Sequence, residues 1–424
     1  MGCPPTGWGQ RTGATKVEAV QATRRILICG GGVAGPTCAF WLQKYGYSTV
    51  VVEKANELRD GGQNVDIKGA GQTVISRMGL SENIEAKNTG ECGQKYLDAT
   101  GRVIAVLPKG SLGTLTNDFE ILRGDFAQVL YDVTKDGCEY RFGRSVTALE
   151  QKPHCVSVTF DNDETEDFEL VICAEGFHSS TRETVMPLQA RLRYLGAYMA
   201  FFKIPRRPGD DKWARTVNGI GGTFITLRPG NETETTALVT FLRDDGDMHS
   251  DARDKKATLC GALIGRGTVA DRILSDLESI DDLYFGPMSQ VKCARWSQGR
   301  FVLLGDAAFC PTPFTGSGTA LALVAAYTLA GEIKRGADHV QAFAAYERLM
   351  RPYVERAQNQ LSPRRIRLLH PRSRWGVHLT HVAQRLLASR AVQNRFLQSA
   401  AMRAPAITDD FVFADYQECP TTPA

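Results

Sequence analysis

Three clusters of glycine and acid have residue types and spacings that could do chemistry. In the first, Gly30-Gly31-Gly32-Val33-Ala34-Gly35 follows the apolar run Ile26 to Cys29 and precedes a helical pattern from Pro36 to Tyr45. Ser48 to Val52 then form a second strand closing on Glu53. Gly30 serves the tight turn, Gly32 lets a pyrophosphate approach the backbone, Gly35 lets the helix pack closely on the strand, and Glu53 can accept from both ribose hydroxyls. The unit therefore reads as dinucleotide binding. The second cluster, Glu175-Gly176-Phe177-His178-Ser179-Ser180-Thr181-Arg182, closes the apolar run Leu170 to Cys173 with an acid, a hydroxyl and a guanidinium. In the third, Gly305-Asp306 ends the run Phe301 to Leu304, and Pro313, Gly316 and Gly318 lead into an apolar helix from about Thr319. Asp306 leaves one carboxylate at a strand end, and the glycines bare the approach to a helix N-terminus, where unpaired N–H groups favour an anion or a flat, electron-rich ring. An ordinary strand-turn-helix unit carries the same signs.

The elements that must position these clusters can be followed along the chain. Residues 25 to 53 make a complete βαβ unit. A polar loop from Lys54 through Arg59, Gly61 and Gly62 reaches Asp66, and residues 70 to 86 read as a helix burying Val74, Ile75, Met78 and Leu80. Short alternating runs between 94 and 116 read as strands. Phe119 to Leu130 reads as a helix whose first turn holds Arg123, a cation at the unfavourable end of the dipole; it marks either an anionic partner such as a phosphate or a solvated surface arginine. From about Met186 to Cys293 half-buried strands (Ala197 to Ile204, Gly222 to Leu227, Thr236 to Leu242) and a helix near Ala252 to Ile264 form an α+β insertion. Beyond Arg351, Leu379, Val382, Ala383, Leu386 and Leu387 recur with helical spacing, predicting an amphipathic helix packed across both domains.

Composition bounds the function. Fifty basic and 47 acidic residues leave a net charge of +3, which excludes a nucleic-acid field over the whole protein. Eleven cysteines without a CxxC pair or a spacing to histidine imply reduced thiols in an intracellular, cytoplasmic enzyme and no metal site; a monomer or homodimer is expected. No apolar run is long enough for a membrane span.

Together the three clusters resemble those of the FAD-dependent aromatic monooxygenases of the para-hydroxybenzoate hydroxylase fold, within them the tetracycline-degrading and fungal biosynthetic branch. The GxGxxG with Glu53, the family's DGxxSxxR seen as Glu175 to Arg182, and GDAA…P…GxG at Gly305 to Gly318 occur in the family's order, with ExxR at Glu120 to Arg123 and a Gly-rich loop ending in Asp66. The resemblance implies an α/β fold: a Rossmann-like FAD-binding domain (25–88, 119–185 and 294–350), an inserted α+β substrate-binding domain (89–118 and 186–293), a disordered start over 1–24, and a C-terminal helical segment with a long helix over 351–424. It implies non-covalent FAD, NADPH or NADH as co-substrate, O2, and an aromatic or polyketide-like substrate in secondary metabolism. Onto this chain it carries cofactor contacts at Gly30, Gly32, Ala34, Gly35, Glu53 and Lys54, then at Asp66, Arg123, Asp306, Pro313, Gly316 and Gly318, with Arg59 at the NADPH contact. Two departures stand out: Glu175 replaces the family's Asp, and Phe309 the His after GDAA. They leave room for epoxidation, Baeyer–Villiger insertion or reduction on the same fold, or for a redox-silent cyclase or binding protein. Residues 190 to 245 are expected to line the pocket, where Arg191, Arg193, Tyr198 and Arg215 are available; no catalytic residue is identified.

Overall fold

The computed structural model describes residues 25–58, 62–111, 119–244, 252–398 and 411–416; the expected disordered start and the candidate Arg59 lie outside them. Runs such as Leu27-Ile28-Cys29 and Val171-Ile172-Cys173 are wholly buried, as a parallel sheet covered on both faces requires. Five parallel strands lie in the order Phe301–Leu303, Leu170–Cys173, Arg25–Cys29, Ser48–Glu53 and Cys138–Phe142, with Ser297–Gln298 antiparallel at one edge. Their carboxyl ends share one edge of the sheet, where a ligand of a doubly wound sheet binds. The helix Gly318–Arg335 is buried at every residue from Ala320 to Ile333 and packs on the helix Ala34–Lys44, with the edge of Tyr327 against Trp41 at 4.8 Å. The segment Phe411–Tyr416 returns to this helix: a methyl on Gly331 would overlap the Tyr416 ring, and Tyr416 donates to Glu332 at 2.6 Å.

A second sheet of seven strands runs Tyr284–Cys293, Ala190–Pro205, Glu234–Leu242, Thr223–Pro229, Ala214–Gly219, Gly93–Leu97 and Val103–Pro108. One face is closed by the helices Ala252–Leu263 and Thr268–Asp276, which bury Tyr198, Phe202, Val239 and Phe241. The other packs Leu195, Ala197 and Met199 against Leu361 and Ile366. A two-stranded ribbon, Asn64–Asp66 with Glu120–Leu122, stands between the large sheets.

Several expectations are corrected here. Glu120–Leu122 is strand, pairing with Asp66 to Asn64, so the helix begins only at Arg123. The helix over 70 to 86 is two helices, Ala70–Met78 and Ser81–Ala86, because Gly79 adopts a left-handed φ of 75° that stops the first. Tyr198 faces the helix-covered side of its sheet, and Arg215 pairs with Asp210 at 3.0 Å on that same side, so neither faces the other sheet. The region after Arg351 divides into helices His339–Asn359, Pro363–Leu369, Arg374–Leu387 and Arg390–Gln398. The apolar stripe of Arg374–Leu387 does not pack across both domains; it faces solvent.

Candidate active site

The glycine loop is shaped by contacts that exclude side chains. Gly30 has φ 113°, a conformation L-residues avoid, and a methyl there would overlap the carbonyl oxygen of Ala174. A methyl on Gly35 would overlap the carbonyl oxygen of Gly30. Gly32, by contrast, has nothing within 4 Å of where its Cβ would stand. Val33 at the N-cap makes no side-chain cap, so the first amides of the helix Ala34–Lys44 keep no side-chain acceptor. Glu53 is half-buried beside the loop, accepting from Gly31 N at 2.8 Å and from Ala55 N at 3.0 Å. Lys54 next to it is exposed.

At the same sheet edge Gly305 turns with φ 65° and Asp306 opens a helical turn, Asp306–Phe309, where the sequence had indicated only a loop. Burial raises the Asp306 pKa, opposed by Arg123 and by a hydrogen bond with Cys310. Arg123 and Asp306 therefore share one electrostatic neighbourhood, although they come from separate segments. Gly318 faces Asp306: a methyl there would lie at an ordinary contact distance of 3.8 Å from Asp306 Oδ1. Pro313 and Gly316 are exposed on the intervening loop.

That loop holds a residue sequence reasoning missed. Thr312 has φ 79°, is fully buried, and its hydroxyl has no partner among the described residues. Strain of about 1–3 kcal/mol persists at such a position only where the surroundings enforce it.

The two departures have structural occupations. Glu175 accepts from Ser179 Oγ at 2.6 Å, Thr181 Oγ1 at 2.6 Å and Thr181 N at 3.1 Å, so its longer side chain reaches the N-terminus of the helix Ser180–Val185, which Ser179 also caps. Arg182, 2% exposed, donates to the carbonyls of Ala307 at 3.0 Å and Phe177 at 3.1 Å, bracing this loop against the Asp306 turn. Phe309 is buried against Trp296 at 4.7 Å, a core position.

The ribbon and the second sheet meet over a charge cluster that spacing did not reveal. Arg228 donates to Glu91 at 2.9 Å, Glu120 at 2.9 Å and Asp66 at 3.2 Å, with all four side chains largely buried. Three carboxylates face one guanidinium, and Glu120 rises to about 7 through burial, with Glu91 and Asp66 adding to it and Arg228 opposing. Burial works against the Arg228 charge, but the three acids outweigh it and hold the group protonated. The second oxygen of Asp66 has no partner among the described residues. The only hint in the sequence is a lone arginine ending the strand Thr223-Phe-Ile-Thr-Leu-Arg228.

On the face of the second sheet opposite its helices, Gln94, Thr216 and Thr226 hydrogen-bond in a row, and Thr240 meets His370 Nε2 at 2.7 Å. His370 Nδ1 lies 2.8 Å from the carbonyl of Ile366, which can only accept; burial lowers its pKa, so the ring is neutral with the proton on Nδ1 and Thr240 donates to Nε2. Phe224, Phe314 and His370 contact one another at 5.7 to 6.0 Å, joining the Asp306 loop to this sheet.

A dinucleotide with a flat ring at one end fits this donor set: an open glycine loop with a carboxylate for ribose, and a mixed Arg123/Asp306 end. Comparison with known proteins agrees. The FAD binding domain family matches residues 23–360. A flavin-dependent monooxygenase of an unknown prokaryotic organism is 36% identical over 342 residues, 79% of this chain and 87% of that protein. An FAD-dependent monooxygenase of Sarocladium schorii is 30% identical, covering 86% of this chain and 92% of its own length. The crystal structure of tetracycline destructase Tet(55) superposes with a TM-score of 0.75 at 31% identity, over 87% of this chain and 97% of that one.

Proposed function

The chain belongs to the FAD binding domain family of flavin-dependent monooxygenases, and from that premise we propose that this oxidoreductase uses NADPH or NADH and O2 to hydroxylate or otherwise oxygenate an aromatic or polyketide-like small molecule, as a cytoplasmic enzyme of secondary metabolism. The observation that carries the reading is the presence, at the carboxyl edge of one parallel sheet, of both the glycine loop with Glu53 and the Asp306 turn on which Arg123 acts. Bound FAD supplies the redox and oxygen chemistry. The chain supplies binding, orientation and exclusion of water. Gly30, Gly32, Ala34 and Gly35 would hold the pyrophosphate, Glu53 and Lys54 the adenosine side, and Asp66, Arg123, Asp306, Pro313, Gly316 and Gly318 the flavin side, with Arg59 toward NADPH.

The residues on the five parallel strands and their helices (25–88, 119–185, 294–350) form the FAD half in this reading, and 89–118 with 186–293 the substrate half. The collection of Gly93–Leu97 and Val103–Pro108 into the seven-stranded sheet supports that division. A structural relative named for destroying tetracycline supports a substrate with fused rings. The well-partnered positions of Glu175 and Phe309 favour a redox-active reading over a redox-silent one.

The test is a screen of aromatic metabolites for stimulated NADPH oxidation by the FAD-loaded protein, with product mass spectrometry. Addition of one oxygen atom is expected, as hydroxylation, epoxidation or insertion; a reduced product, or no stimulation across the screen, would count against the reading. A narrower prediction concerns Glu53. Glu53→Gln is expected to weaken FAD binding by about 1–3 kcal/mol through loss of a charge-assisted hydrogen bond, with the apoprotein melting point lowered by a few degrees because the single amide oxygen can accept from only one of Gly31 N and Ala55 N. An unchanged FAD dissociation constant would place the ribose elsewhere.

A further inference from the structure

The helix Arg374–Leu387 is amphipathic in the opposite sense to a core helix. Trp375, Leu379, Val382 and Leu386 recur at i, i+4, i+7 and i+11, so they share a stripe about 60° wide. They are 78%, 66%, 37% and 59% exposed. Gln384, about 180° round the helix from Trp375, is the buried residue and donates to Asn218 Oδ1 at 2.9 Å. The helix thus rests on the seven-stranded sheet by its polar side and turns its apolar stripe to solvent. The preceding helix, Pro363–Leu369, exposes Leu368 and Leu369 beside Arg364, Arg365 and Arg367. Both helices are fixed to the body: Gly221 N and Gly222 N donate to the carbonyls of Arg372 and Pro371, and Asn218 Nδ2 to that of Leu369.

Charge identifies the kind of partner. From residue 360 to 398 the sequence holds eight arginines and no Asp, Glu or Lys. Arg374 and Arg385 fall with His378 along one flank of the stripe, and Asp244 approaches Arg372 at 3.6 Å from another part of the fold. A second copy docking stripe to stripe with its helix antiparallel would bring arginine flank against arginine flank. An anionic surface would pair them instead. A tryptophan and leucine stripe rimmed by arginine is the composition of a helix lying in the plane of a lipid interface, where each cation adds attraction to anionic headgroups.

We propose that the helices Pro363–Leu369 and Arg374–Leu387 dock this enzyme on an anionic membrane surface, with the stripe in the headgroup region and the arginines against lipid phosphates and carboxylates. Among the described residues no helix is long and apolar enough to cross a membrane, so the contact is peripheral and reversible. The inference is independent of which substrate the enzyme oxidises.

The test uses the full FAD-loaded chain in co-sedimentation with vesicles of phosphatidylcholine alone and of phosphatidylcholine with phosphatidylserine. Binding is expected to the mixed vesicles only, and to weaken steeply as salt rises. Leu379→Ser/Leu386→Ser is expected to lower partitioning by roughly ten-fold or more, and Arg364→Gln/Arg365→Gln/Arg367→Gln by a similar factor. FAD content and melting temperature, unchanged because these side chains are exposed, show that the fold survives. A blue shift of emission on adding mixed vesicles, absent in Trp375→Phe, reads the stripe without perturbing its leucines. Failure to bind mixed vesicles overturns the proposal. So does equal binding by the variants, retention on heparin without vesicle binding, or a dimer that Leu379→Ser/Leu386→Ser converts to monomer in place of lipid binding.

Discussion

Arg228→Met is expected to lower folding stability by about 3–5 kcal/mol at pH 8 and to reduce FAD affinity with it, because it leaves Asp66, Glu91 and Glu120 buried without their shared cation. Methionine fills much of the same volume, so the loss is electrostatic and must depend on pH. In the parent chain the folded state holds the Glu120 proton more tightly than the unfolded state, since the carboxyl rises from 4.5 to about 7. Its contribution to stability is therefore complete below the ordinary carboxyl range and disappears as pH climbs through about 7, a change on the order of 3 kcal/mol. Removing the guanidinium raises the acids further and steepens that decline. Denaturant unfolding at pH 5.5 and pH 8 measures it: the Arg228→Met deficit should be markedly larger at the higher pH. Glu120→Gln is expected to do the reverse. It keeps an acceptor for Arg228 and Asn64 without needing a proton, so the stability profile between pH 5 and 8 should flatten. An Arg228→Met deficit of equal size at both values would mean that packing, not charge, holds the ribbon to the second sheet.

That cluster also shows where sequence reading stops. The βαβ unit was legible because its glycines, strands and acid lie within about thirty residues and each constrains its neighbours locally. The Asp306 turn was legible for the same reason. Arg228 meets Asp66, Glu91 and Glu120 across sequence separations of 162, 137 and 108 residues, and nothing in the spacing of one charge announces three distant partners. The row Gln94, Thr216 and Thr226 depends on strand register, which a one-residue slip would invert. The helix Arg374–Leu387 marks a subtler limit. Its periodicity was readable, its bounds were not, and a hydrophobic period states only that an apolar stripe exists, not what covers it.

The glycine loop allows the ligand site to be separated from the fold, and the pair Gly32 and Gly35 does it. Gly35→Ala drives a methyl into the carbonyl oxygen of Gly30 and to 3.2 Å from Ile28 Cγ2, so the helix Ala34–Lys44 must move off its strand. The expected cost is about 3 kcal/mol of folding stability, with FAD retention lost because the loop is displaced. Gly32→Ala meets nothing within 4 Å and needs no left-handed backbone, so its apoprotein should unfold within about 0.5 kcal/mol of the parent. If a pyrophosphate lies against this backbone, however, the new methyl occupies its place, and FAD affinity should fall by about 1–3 kcal/mol. Unfolding of the two apoproteins and titration of each with FAD give four measurements. The arrangement requires a stable Gly32→Ala that binds FAD poorly and a Gly35→Ala impaired in both respects. A Gly32→Ala protein that binds FAD as tightly as the parent would show that the ligand never approaches Gly32, and would move the pyrophosphate away from the N-terminus of the helix Ala34–Lys44.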